Sequence, residues 1–455
     1  MRHVAAAATA LVTLAFPGLS RAQVSPPAPE RIAVGDWQLE PVLEARVRGE
    51  YRHDLDGQDK GVLTERVRLG ADVERGPIEA RVVLQDARLW DLGSSGDFIG
   101  QPSQLALTGA YEAWGEAHTS GARPGFVRVG RQPVTWGEGR LLGAADWSPT
   151  GRSLDAVRGR LVTGDWAFEL LAAALSDPPQ PGVVVVVGPA YGELLGARAE
   201  WALDPLFATE VYALARFAQQ SPVTDLENSV QGETYTGALR LHGAAHAWAW
   251  GAEGAYQLGK VAATSQDRAA WAAAGHVGYA FEHVVLRPTV RVTTSYATGD
   301  HGGATYRAFD PLLPDVHAWH GMMDLFSWSN EEEASLRVAI SPWTDGIAAV
   351  EYRYARLAQA DGSWRSAYLE TIAVAPSNTS AELGQEIDAV VRWSPWAPVE
   401  LSTGYSVAVL GAGAKALLSA ELSAPGGLSA PGGPAPFAPP GLAHFAYAQA
   451  SVRVP

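Results

Sequence analysis

The chain of 455 residues has no cysteine, 3 methionines and 3 lysines. Beyond its first two dozen residues it has no uninterrupted apolar run of the roughly 20 residues that a membrane helix requires. The missing thiols exclude disulfides, thiolate catalysis and cysteine metal sites, and the missing run excludes a helical inner-membrane protein. A net charge of −15 with no basic tail leaves no electrostatic footprint for nucleic acid. There is no GxSxG motif, and no serine, histidine and acid arrangement stands out. The expectation is therefore a protein that is not an enzyme and carries no cofactor.

What is abundant is aromatic, small or cationic: 16 Trp, 14 Tyr, 48 Gly, and Arg as 31 of the 34 cationic residues. Residues 1–22 run as a basic start at Arg2, an apolar stretch from Val4 to Leu19, and small Ser20 and Ala22 around Arg21. That is the layout of a secretory signal peptide with cleavage before Gln23, which implies an exported chain. Residues 23–36, which include PPAPE, read as a periplasmic coil, and 37–455 as one transmembrane domain.

Apolar and polar residues alternate with period two, the signature of half-buried strands. Between Leu39 and Arg52, Glu40, Glu44, Arg46, Arg48, Glu50 and Arg52 share one face, opposite Leu39, Leu43, Ala45, Val47 and Tyr51. Between Val62 and Glu74, Thr64, Arg66, Arg68, Asp72 and Glu74 oppose Leu63, Val67, Leu69, Ala71 and Val73, with Glu65 as the one violation. Strand-like stretches fall near 38–52, 61–74, 77–89, 105–117, 125–131, 155–163, 166–175, 191–203 and 207–219. The second half continues at 231–244, 246–258, 268–281, 284–298, 331–341, 347–359, 382–393, 396–409 and 443–454. Many are ten to fourteen residues long, where soluble strands average about 5–6 and a tilted membrane strand needs about 9–11.

Every second connection is short: Arg75-Gly76, Gly164-Asp165, Asp204-Pro205-Leu206, Glu282-His283, SPWTDG and SPWAP. The intervening ones, such as 132–154, 176–190, 299–330, 360–381 and 410–442, are long. Short periplasmic turns alternating with long outer loops, and an even count of about 18 strands, predict an all-β, antiparallel transmembrane β-barrel of a Gram-negative cell outer membrane. Aromatics near strand ends, among them Trp37, Tyr51, Trp201, Phe207, Trp343, Tyr352, Tyr354, Trp393 and Trp396, suit interfacial girdles.

Lipid on the apolar face sends the charged face into the pore. Arg46, Arg48, Arg66, Arg68, Arg81, Arg158, Arg160, Arg287, Arg291, Arg353 and Arg392 are then expected inward, with Glu40, Glu44, Glu79, Glu351, Glu386 and Asp388. Two readings stand side by side: cross-strand ion pairs that brace the wall, and a positive constriction that attracts anions such as carboxylated sugars.

The stretch Gly130 to Leu161, GRQPVTWGEGRLLGAADWSPTGRSLDAVRGRL, carries Gly130, Arg131, Gln132, Gly137, Arg140, Leu141, Trp147, Gly151, Arg152, Asp155 and Arg158 at the places where the alginate export family has its pattern. In that family GRQ is followed by a Gly, an Arg-Leu pair, a Trp, a Gly-Arg and a Phe-Asp-x-x-Arg element; Leu154 stands here for the usual Phe. FDPLLPDVHAWHGMMDLF, from Phe309 to Phe326, resembles the family's later loop element through Phe309, Pro314, His317, Gly321 and Asp324. The resemblance implies an 18-stranded monomeric barrel whose electropositive pore passes an anionic polysaccharide. Expected partners are an anionic carbohydrate, outer-membrane lipid and lipopolysaccharide, the barrel-assembly machinery and periplasmic secretion partners.

Arg131, Arg140, Arg152, Asp155 and Arg158 are the candidate network at the pore mouth, with loop bracing as the bland alternative. Gly130, Gly137 and Gly151 read as backbone punctuation. The chain departs from the family in ending VRVP rather than on an aromatic, and in the repeated SAPGG of its 410–442 loop. His242 and His246 lack the Glu of HExxH and fall on a short turn, so no zinc site is expected there. Asp310, Asp315, His317, His320 and Asp324 form a polar cluster for which ordinary loop hydrogen bonding outweighs Ca²⁺. A general anion-preferring porin is the competing reading within transport, and a barrel enzyme or adhesin outside it.

Overall fold

The computed structural model describes residues 31–92, 106–119, 124–176, 190–204, 206–218, 232–262, 264–423 and 439–454. The expected signal peptide and its cleavage point lie outside them. Eighteen long strands follow the chain. The first nine are β1 (Trp37–His53), β2 (Asp59–Arg75), β3 (Ile78–Asp91), β4 (Ala106–Thr119), β5 (Gly125–Gln132), β6 (Leu154–Thr163), β7 (Trp166–Ser176), β8 (Ala190–Asp204) and β9 (Phe207–Ala218). The second nine are β10 (Gly232–Ala245), β11 (Trp248–Val261), β12 (Gln266–Ala280), β13 (Thr289–Ala297), β14 (Glu331–Ile340), β15 (Gly346–Arg356), β16 (Glu382–Trp396), β17 (Val399–Leu410) and β18 (Leu442–Val454).

Each strand pairs antiparallel with its sequence neighbour, and β18 returns to β1 from Leu43↔Val454 to His53↔His444, which closes the barrel. Closure leaves no free sheet edge, the condition for strands to cross a bilayer. The VRVP terminus does not prevent it: Val452, Arg453 and Val454 are paired with Ala45, Glu44 and Leu43.

Side-chain parity sorts the residues as the alternation predicts. Glu44, Arg46, Arg48, Glu50 and Arg52 of β1 are buried inside, while Leu43, Val47 and Tyr51 are exposed on the outer wall. Leu69, Leu84, Val129, Leu170, Val211 and Leu239 continue that apolar wall round the barrel. Paired aromatics mark its short-turn end, including Trp166 stacked on Trp201 at 5.7 Å and Trp343 edge-on to Trp393 at 6.4 Å.

Four local expectations are corrected. The strand expected from 284 starts at Thr289, because Phe281 to Pro288 form a longer turn closed by Phe281 N to Pro288 O at 2.8 Å; Pro288 has no amide to join a ladder. The turn expected at SPWAP shrinks to Ala397-Pro398, since β16 continues to Trp396. The 410–442 segment is not all loop: the Ala- and Leu-rich run AGAKALLSAELS, made of strong helix formers, coils as α1 (Ala412–Ser423). The coil expected over 23–36 contains a short strand, Ile32–Val34, paired with the start of β1.

Two of the long connections, 133–153 and 298–330, fold inward and pack inside the barrel. Trp136, Leu141 and Leu142 of the first inner loop (133–153) and Phe309, Leu312 and Trp328 of the second (298–330) bury against wall residues such as Leu171, Leu194 and Leu214. Across the lumen, Met323, Leu325 and Phe326 pack with Trp364, Leu417 and Phe445. Burying each such side chain is worth on the order of 1.5–3 kcal/mol, so these loops are part of the folded core.

Candidate pore site

Four arginines of β1 and β2 grip one short stretch of the first inner loop. Arg46 donates to the carbonyls of Asp146 at 2.7 Å, Trp147 at 3.2 Å and Ser148 at 2.9 Å. Arg48 reaches the Trp147 carbonyl at 2.9 Å and lies over its ring at 3.8 Å. Arg66 and Arg68 pair with the Asp146 carboxylate at 3.1 and 2.9 Å, while Arg66 also holds Glu44 and Arg68 also bonds Gln85. Burial alone would raise the Asp146 carboxyl, but Arg66, Arg68 and Arg46 outweigh it and hold the group well below the usual carboxylate range. Arg46, Arg66 and Arg68 thus face inward as expected, and Arg66 and Arg68 join partners on the neighbouring strands to a loop more than 70 positions away.

The two inner loops are tied to each other by backbone bonds: Gly143 N to Leu313 O at 2.9 Å, Leu313 N to Leu141 O at 3.1 Å and Asp315 N to Gly139 O at 2.7 Å. Gly143 is required here, because a Cβ would stand 2.7 Å from the Asp315 nitrogen. Gly130, Gly137 and Gly151 all have positive φ, of 127°, 60° and 63°. Arg152 seals the junction, with Nη1 facing the carbonyls of Gly143, Leu313 and Pro314 at 2.9, 2.8 and 2.8 Å.

The polar cluster of the second inner loop does not converge on one point. Asp310 is paired with Arg216 and lies 3.8 Å from Arg268; burial opposes its charge, yet the two arginines bring its carboxyl down to about 2. Asp315 makes no salt bridge among the described residues, and burial outweighs the pull of Arg152 and pushes it up to about 6. His317 stacks on Trp147 at 3.6 Å and approaches Asp324 at 3.3 Å. His320 sits between Glu331 and Glu333 of β14 at 3.1 and 3.2 Å; burial would lower its imidazole, and the two carboxylates instead raise it to about 9.

Deeper in the lumen, Glu138 of the first inner loop gathers three groups: Arg140 at 3.5 Å, Arg240 at 3.4 Å and His276 at 3.7 Å. Arg291 lies within electrostatic reach of both Arg140 and His276. Arg140 is buried over the Trp319 ring at 4.0 Å, and its Nε and Nη2, like the Nε of Arg240 and Arg291, make no hydrogen bond among the described residues. Arg240 is also paired with Glu210 at 3.6 Å and Arg291 with Glu351 at 3.8 Å, while Glu253, another acid nearby, accepts the Tyr212 hydroxyl.

Of the remaining sequence candidates, Arg158 faces inward and binds Glu169 at 2.7 Å, and Arg353 is held by Glu333 and Glu351. Arg131 and Asp155 are corrected. They lie directly opposite one another on β5 and β6, on the face that carries Val127, Val129 and Val157, so their contacts at 2.9 and 2.6 Å form a bidentate pair on the outer wall, not at the pore mouth. Arg287 is corrected as well: it is exposed in the turn before β13 and lines no part of the wall. His242 points into the lumen from β10, while His246 occupies the following turn at φ 53°, so the pair forms no common site. Sequence reasoning missed Glu138, Arg240, His276, Glu331 and Glu333. Glu138 lies inside the quoted motif, and Glu331 and Glu333 open a strand as EEE, where period two alone sends both inward.

A closed barrel with lumen loops and a charged interior defines an outer-membrane channel. Solved structures similar to it include OpdK of Pseudomonas aeruginosa with vanillate (11% identity, 91% of this chain and 98% of that one, TM-score 0.56). Two others are OccK2 (OpdF) of the same organism in complex with glucuronate (10%, 91% and 98%, TM-score 0.57) and OccAB2 of Acinetobacter baumannii (11%, 91% and 97%, TM-score 0.56). These likenesses establish the fold. No curated protein matches the chain. Residues 38–419 match the family described as alginate export, and the chain belongs to that family. It is a channel and not an enzyme.

Proposed function

We propose that this channel passes anionic polysaccharide or uronate oligomers across the outer membrane of a Gram-negative cell. The observation that carries the reading is the pair Arg140 and Arg240 on Glu138, with Arg291 within electrostatic reach of Arg140. Glu138, Glu210 and Glu351 pair with these guanidinium groups and Glu253 is engaged by Tyr212, yet four buried guanidinium nitrogens find no hydrogen-bond acceptor among the described residues. A buried donor without an acceptor is costly, and a passing carboxylate supplies the missing acceptor in the planar geometry that guanidinium prefers. Trp319, already stacked on Arg140, adds a ring of the kind that packs against a pyranose face. Membership of the alginate export family and the glucuronate held by OccK2 support the same solute class.

The chain then acts as a monomer delivered by a signal peptide. The assembly machinery inserts it, lipid and lipopolysaccharide cover its apolar wall, and periplasmic secretion partners impose direction on a passive pore. The test is single-channel current of the refolded barrel in planar bilayers, titrated with uronate oligomers and with neutral sugars. We expect anion-selective current blocked by uronates only, with block weakened about tenfold to a hundredfold in Arg140→Ala, the loss of one charged hydrogen bond of about 1.5–3 kcal/mol. Current that no uronate blocks would make the chain a general porin, and the absence of current would overturn the channel assignment to this pore.

A further inference from the structure

Inside the barrel, His320, Glu331 and Glu333 come together. Glu331 and Glu333 stand two apart on β14 and so share its inner face, while Glu332 between them turns outward to Arg356 at 3.3 Å. His320 descends from the second inner loop and places Nδ1 3.1 Å from Glu331 Oε2 and 3.2 Å from Glu333 Oε2. All three side chains are buried, and one ligand atom from each lies within 4.8 Å of the others.

The stoichiometry of this contact is unbalanced. One ring nitrogen carries at most one proton, and it faces two carboxylate oxygens. The hydrogen bond goes to Glu333, and Glu331 Oε2, fully shielded from solvent, accepts none from any described residue. The second oxygen of each carboxylate is already fixed, Glu331 by the Ser295 hydroxyl and Glu333 by Arg353. Such outer contacts orient carboxylates as they do around bound metals. Arg353, the cation beside them, is shared with Glu351 and also faces Glu386 and Asp388, so the region is short of positive charge.

We propose that His320, Glu331 and Glu333 bind a divalent transition-metal cation of the zinc class, which staples the second inner loop to the barrel wall. Tetrahedral ligands held at about 2.0–2.1 Å from zinc stand roughly 3.3 Å apart, close to the two nitrogen–oxygen separations present here. An imidazole in the set selects zinc-like ions over Ca²⁺ and Mg²⁺. The cation replaces the single shared proton and satisfies both carboxylates at once.

The test uses the full barrel, refolded without a tag and stripped with chelator, with Zn²⁺ as the probe. Calorimetric titration is expected to give one Zn²⁺ per chain, with affinity at least tenfold lower in His320→Ala and Glu331→Gln. The variant His118→Ala is expected to keep the wild-type affinity, since Glu79, Glu116 and His118 form a separate, more open group near the short-turn end. Absence of binding, or binding lost in His118→Ala and retained in His320→Ala, overturns the proposal. Should His320→Ala fail to insert, Co²⁺-loaded wild type decides: intense tetrahedral d–d bands support the site, and the weak spectrum of aquo-cobalt overturns it.

Discussion

Replacing Arg152 by Ala tests whether the inner loops are locked by side-chain contacts to backbone or by apolar packing alone. One nitrogen of Arg152 faces three carbonyls, two of them on the other loop. A hydrogen bond from a charged donor is worth about 1.5–3 kcal/mol. Three acceptors competing for one nitrogen count for less than three such bonds, so the loss is about 3 kcal/mol. At 1.4 kcal/mol per factor of ten that raises the fraction of separated loops roughly a hundredfold. The direct readout is hydrogen exchange at the amides of Gly143, Leu313 and Asp315, each bonded across the junction; all three are expected to exchange about a hundred times faster in the variant. Single-channel records should gain flicker between conductance levels while the barrel keeps its full strand content. Unchanged exchange at these amides, in a variant that inserts normally, would refute the idea that Arg152 holds the junction, leaving Trp136, Leu141 and Phe309 as sufficient.

Two further outcomes follow from groups in the loops and on the outer wall. Asp315 has its folded value raised to about 6, above that of an unfolded chain, so the closed loop is favoured while the carboxyl is protonated. That stability is complete below about pH 4 and declines by about 3 kcal/mol as pH rises to about 6. Flicker should therefore be lower at pH 4.5 than at pH 7.5, and Asp315→Asn should abolish the difference; a wild type insensitive to pH in this window would sink the argument. On the outer wall, Arg131→Leu leaves Asp155 without its bidentate partner, and breaking such a pair costs about 3–5 kcal/mol where it is buried, less at this partly exposed site. Urea unfolding from lipid vesicles should show the single variant less stable than the double variant Arg131→Leu, Asp155→Leu; the opposite order would place the pair inside the pore after all.

The barrel was legible in the sequence because its signal is local. Several strands announce themselves by alternation within about ten residues and the rest by the turns between them, and the expected start of β13 fails because the apolar Val284, Val285 and Leu286 continue the pattern into a turn that Pro288 closes. The interior was legible only as a face. That Arg46 and Arg68 point inward follows from parity, but that they meet Asp146 and Ser148 depends on where a loop some hundred positions later comes to rest. Arg131 is a different case: Val127, Val129 and Arg131 already share one parity, and the strand pattern itself assigns the outer wall.

Alternation along each strand has a consequence for how this molecule can change. Odd and even positions are read by different audiences, one set by hydrocarbon and the other by the solute and the loops that meter it. A substitution on one set leaves the other's surroundings intact. Conductance and selectivity can thus be rewritten from within, through residues such as Arg240 or Arg291, while the surface that anchors the cylinder in its bilayer stays as it is.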